Sequence, residues 1–115
     1  MSQQQDTLDQ LNTARDALTK VILLNTAVQG TQEWTKLEKT VEDRDLLTLQ
    51  INDTLNANFP VPTAQLTDAI ASLAMNTKAL TKLDQTLAKL DQIIALADTI
   101  VQIGASIVQV VAPLV

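Results

Sequence analysis

The sequence predicts an all-α fold: a three-helix antiparallel, coiled-coil-like bundle with a long C-terminal helix, in one domain spanning residues 1–115. Three observations carry that expectation. Apolar residues recur at helical spacing along most of the chain. The composition, with two Gly, three Pro, one Trp, one Phe and no Tyr, suits long helices and disfavours sheet. Breaks in the spacing fall at Gly30 and at Asn58-Phe59-Pro60-Val61-Pro62-Thr63, where two prolines forbid a continuous helix. The helices expected are about 5–29, 32–57 and 63–112.

The first helix places Leu11, Leu18 and Val21 on one stripe, widened by Leu8, Ala14, Ile22 and Val28. Gly30 ends it, and Thr31 is placed to cap the next. The second helix has a weaker stripe of Trp34, Leu37, Val41, Ile51 and Leu55. Its middle, Glu42-Asp43-Arg44-Asp45, reads as a solvated face, with Arg44 as a polar insert in the seam the alternative. Thr63 is placed to cap the third helix.

That third segment carries the most specific pattern. Leu66, Leu73, Leu80, Leu87, Ile94, Val101, Val108 and Val115 recur every seven residues, with partner positions Ala69, Asn76, Leu83, Leu90, Ala97, Gly104 and Val111. Two consecutive heptads, TKLDQTL and AKLDQII, are near copies. No Gly or Pro lies between Thr77 and Leu96, so the expectation is one unbroken helix of about 75 Å. Its competitor is an even four-helix bundle with a break near residue 88.

Residues 93–115 are strongly apolar: sixteen of twenty-three are Ala, Val, Ile or Leu, and Asp98 is the last charged residue of the chain. The side chains expected to form an oligomer or membrane interface are Ile93, Ile94, Leu96, Ala97, Ile100 and Val101, followed by Ile103, Gly104, Ile107, Val108, Val110 and Val111. A narrow polar strip of Asp91, Asp98, Gln102, Ser106 and Gln109 remains beside them. Burying one large aliphatic side chain is worth about 1.5–3 kcal/mol, so leaving this set in water would rival the stability of a whole domain. Three coverings answer that demand: helices of a second copy, a fold-back that makes the segment the centre of a monomeric bundle, or lipid. For lipid, the length approaches a span and Ala97, Gly104 and Ala105 suit close helix contacts. Against it stand the polar strip, the lack of interfacial Trp or Tyr and the lack of flanking Lys or Arg. In hydropathy plan the chain resembles helical pore-forming proteins, whose bundles hide one apolar segment until insertion.

Composition narrows the chemistry. Without Cys or His there is no thiolate or imidazole for a metal or a nucleophilic dyad, and no Ser-Lys arrangement stands out. Asp84, Asp91 and Asp98 share a helix face but lack the Glu-x-x-His partners of a di-metal bundle. Glu42, Asp43 and Asp45 lack the Gly-turned loop of a calcium site, and there is no Gly-rich phosphate loop. Eight basic residues against thirteen acidic ones argue against nucleic acid. No catalytic, cofactor-binding or metal site is therefore expected, nor a small-molecule substrate. MSQQQDTLDQ is polar and does not read as a secretory signal, so the expected location is the cytoplasm, or release without a signal peptide, with membrane association left open. The reading is a non-enzymatic interaction or assembly protein that forms a homo-oligomer or binds a partner through its C-terminal helix; the alternative is a membrane-active protein using residues 93–115.

Overall fold

The computed structural model describes residues 2–59, 63–83 and 86–113, and over these the chain is an all-helical bundle. Pro60, Val61, Pro62, Asp84, Leu114 and Val115, to which parts of the sequence reading attach, lie outside the described residues. Four α-helices are described: α1 (Gln3–Leu24), α2 (Gln32–Leu55), α3 (Ala64–Lys82) and α4 (Leu90–Val110). A 3₁₀ turn, Leu87–Lys89, leads into α4, and two-residue strands β1 (Ala57–Asn58) and β2 (Ala112–Pro113) pair antiparallel just beyond α2 and α4.

Helix starts follow side-chain chemistry. The hydroxyls of Ser2, Thr31 and Thr63 accept from the backbone N–H three residues on, at 3.0, 3.2 and 3.2 Å, satisfying donors that a helix leaves open. Helix α1 ends at Leu24 rather than near 29. The Asn25 side chain donates to the Val21 carbonyl at 2.8 Å, and Gly30, at φ 91°, supplies the left-handed turn into α2.

The helices pack as two hairpins, α1–α2 and α3–α4, laid side by side so that α1 meets α3 and α2 meets α4. Long-range bonds give the directions. Gln4 at the start of α1 donates to the Thr54 and Ala57 carbonyls at the end of α2, so those helices run antiparallel. Pairing of Lys36 with Asp91 and of Lys39 with Asp98 makes α2 and α4 parallel. The core lies on the common axis and is filled by Leu11 and Leu18, Leu47, Leu66 and Leu73, and Leu90, Ile93, Ile100 and Ile107.

The expected continuous helix over 63–112 is therefore replaced by two, and the three-helix bundle by four helices. The reason is coverage. A straight helix would carry its apolar second half beyond the reach of α1 and α2, whereas folding back lays that half against α2 and α3. Leu83 and Thr86, on either side of the break, take ordinary extended conformations. The heptad seam continues only in part, passing from its leading positions in α3 to its partner positions in α4. Helix α3 buries Leu66, Leu73 and Leu80. Helix α4 instead turns Leu90, Ala97 and Gly104, with Ile93, Ile100 and Ile107, inward, and leaves Ile94, Val101 and Val108 half-buried.

Candidate functional site

The residues expected to form an interface divide into two groups. Ile93, Ala97, Ile100, Gly104, Ile107 and Val111 are buried in the chain's own core, while Ile94, Leu96, Val101, Ile103, Val108 and Val110 are half-buried along its flanks. The polar strip is also split. Gln102, Ser106 and Gln109 are exposed, but Asp91 and Asp98 reach across to α2.

That α2–α4 seam holds the principal polar cluster among the described residues. Lys39 Nζ lies 2.9 Å from Asp43 Oδ1 and 3.0 Å from Asp98 Oδ1, and Lys36 Nζ lies 2.9 Å from Asp91. Asp43, read from the sequence as part of a solvated face, is only 1% exposed. Its neighbour Arg44 is half-buried and pairs with Asp45, so Asp43 rather than Arg44 is the polar insert. Thr40, Asp43, Leu47, Gln50 and Thr54 are all buried and recur at intervals of three and four. This spacing was the available signal, hidden because only one of the five is apolar.

Burial, and then the neighbouring Asp98, push the Asp43 carboxyl up to about 6 against the opposing pull of Lys39. Burial presses Asp98 the same way but is outweighed by hydrogen bonds from Asp43 and Lys39, which hold it below the usual carboxylate range. Hydrogen bonds to Asp43 and then Asp98 hold Lys39 above the ordinary lysine value. The buried Oδ2 of Asp43 has no hydrogen-bond partner. The cluster thus ties α2 to α4 through one ammonium held between two carboxylates.

Farther along the same seam, Gln50 Nε2 donates to the Val101 carbonyl at 2.8 Å, and its amide lies across Gly104. A Cβ at Gly104 would overlap that amide, which accounts for a glycine in mid-helix despite its poor helix propensity. Outside this clamp lies an open groove of about 310 Å³, lined by Leu46, Leu49, Gln50 and Asp53 of α2 and by Ala105, Val108 and Gln109 of α4. Leu46 and Leu49 are 43% and 60% exposed.

Another recess, between α1 and α3, is lined by Thr13, Asp16, Ala17, Lys20 and Thr81. Among the described residues no three acidic side chains are grouped to hold a metal ion. No protein-family model, curated protein or solved structure matches the chain.

Proposed function

We propose that the chain is a non-enzymatic helical interaction module that self-associates, two copies meeting through the face shared by α2 and α4. One observation supports this reading: an exposed leucine ridge stands directly beside an open groove. Leu46 and Leu49 form the ridge, which is also one wall of the groove; Gln50, Asp53, Ala105, Val108 and Gln109 complete its lining. A two-fold pair must use one patch twice, so a surface carrying both a knob and a hole is self-complementary. Asp53 is the only charged residue among the groove's lining, and wetting of two leucines is unfavourable by about 1.5–3 kcal/mol for each that a partner could fully cover. The face is small, so association in the micromolar range or weaker is expected.

Size-exclusion chromatography with light scattering tests it. The wild-type mass should rise from monomer toward dimer over roughly 10–500 µM, a range set by that expected affinity. Leu49→Lys should remain monomeric with unchanged helicity. A wild type that stays monomeric throughout, or a Leu49→Lys variant that associates equally well, refutes the reading.

A second reading, membrane activity, is favoured by α4 with its leading 3₁₀ turn. Leu87–Val110 has 24 residues and contains an 18-residue stretch of mean hydropathy 1.8, only 28% of it buried, so by length and composition it could cross a bilayer. The core helix of a soluble bundle passes the same test, so the reading stands second. Flotation with anionic and neutral liposomes, together with dye release, decides it: protein that stays in the aqueous phase without leakage removes it.

A further inference from the structure

The two leucines of the α2 ridge are bracketed by charge. Glu42, Leu46, Leu49 and Asp53 follow one another at intervals of four, three and four residues, which places them on a single stripe along the helix. All four are exposed, so the stripe presents acid, leucine, leucine, acid to its surroundings. Neither acid is matched. The three bases of α2 are committed elsewhere: Lys36 to Asp91, Lys39 to Asp43 and Asp98, and Arg44 to Asp45. Glu42 and Asp53 form no ion pair among the described residues. Helix α4 brings no base to this face either. Beyond Asp98 the chain has no charged residue, and the α4 share of the groove is Ala105, Val108 and Gln109.

The stripe is symmetric about its centre, which constrains how two copies can meet through it. Laid antiparallel with Leu46 on the partner's Leu49, two such stripes bring Glu42 against the partner's Asp53 at both ends. Laid parallel, Glu42 meets the partner's Glu42 and Asp53 meets the partner's Asp53. In both directions the contact that covers the leucines sets carboxylate against carboxylate twice. We propose that self-association through this face is gated by charge. Glu42 and Asp53 hold two copies apart at low ionic strength, and salt that screens their repulsion lets the leucines meet. The inference rests on the reading that α2 and α4 form the self-association face, and adds the condition under which that face closes. At a wet rim, two carboxylates about 6 Å apart disfavour the pair by about threefold, so two such oppositions do so by about tenfold. The screening length falls from about 30 Å at 10 mM salt to about 4 Å at 0.5 M, so the repulsion is nearly whole at the first and nearly gone at the second.

Sedimentation equilibrium of the full chain between about 10 mM and 0.5 M sodium chloride measures this gate. Wild type should associate about tenfold more tightly at the high end. The double variant Glu42→Gln, Asp53→Asn should be about tenfold tighter than wild type at low salt and nearly equal to it at high salt. Both positions are exposed, so helicity should not change. A second double variant, Asp9→Asn with Asp68→Asn, removes the same charge from exposed sites on α1 and α3. It should stay within about twofold of wild type, because those acids lie off the face. A wild-type dimer indifferent to salt, with the Glu42 and Asp53 variant no tighter, overturns the gate and leaves the groove reading standing. An Asp9 and Asp68 variant as tight as the other overturns the gate as well, since the repulsion then belongs to the whole chain. No dimer in wild type or in the Glu42 and Asp53 variant at any salt overturns the gate together with the reading beneath it.

Discussion

Asp43 and Gly104 show how single residues hold the α2–α4 seam, and each gives a measurable consequence. The Asp43 carboxyl, pushed up to about 6, binds its proton more tightly in the folded chain than in the unfolded one. Its contribution is therefore present in full below the unfolded value of about 4 and is lost as pH rises toward 6. Asp98 acts in the opposite sense, its stabilisation present above its ordinary value and lost only when acid titrates it. Asp43→Asn keeps an acceptor for Lys39 and offers Asp98 an N–H. It should raise stability at pH 7.5 by on the order of 1 kcal/mol, an advantage that fades to nothing near pH 4 in urea titrations across that range. At Gly104, alanine alone would gain about 1 kcal/mol of helix propensity but displace the Gln50 amide from the Val101 carbonyl. A net loss of about 1–2 kcal/mol is expected, and Gln50→Ala in the same chain should recover most of it. Additive effects in that double-mutant cycle would contradict the clamp.

Helix starts were legible because they depend on local hydroxyls: Thr31 and Thr63 cap as their positions in the sequence imply. Thr63→Ala should accordingly cost about 1 kcal/mol by chemical denaturation, since it strips the Leu66 N–H of its acceptor. The apolar face of α1 was legible for the same reason of periodicity, save that Val28 lies beyond the helix and is exposed. The end of α3 was not legible. No Gly or Pro lies between Thr77 and Leu96 to force a break, and folding back covers Ile93, Ile100 and Ile107, a long-range effect that no local window contains. The inward face of α2 was missed on different grounds. Thr40 and Thr54 donate to the Lys36 and Gln50 carbonyls of their own helix, while the burial of Asp43 and Gln50 becomes intelligible only once Lys39, Asp98 and Val101 are beside them.

At the scale of the molecule, the demand read from the sequence, that residues 93–115 be shielded from water, is met in part by the chain itself: Ile93, Ala97, Ile100, Gly104, Ile107 and Val111 are buried, and the aliphatic residues flanking them are half-buried. Helices α2 and α3 take the inner face of α4, and what stays outside is a modest apolar surface: the Leu46 and Leu49 ridge, the groove beside it and the flanks of α4. That division separates stability from association. The core residues of α4 hold the bundle together, while the proposed association would use the surface of α2 and α4. The measurement that bears most directly on this division is amide hydrogen exchange, followed at protein concentrations of about 1 µM, below the expected self-association. Amides between Ile93 and Ile107 should be protected to the same free energy as those around Leu11, Leu18 and Leu47, independently of concentration. Exchange of that segment within seconds at 1 µM, with protection appearing only as concentration rises, would contradict the account.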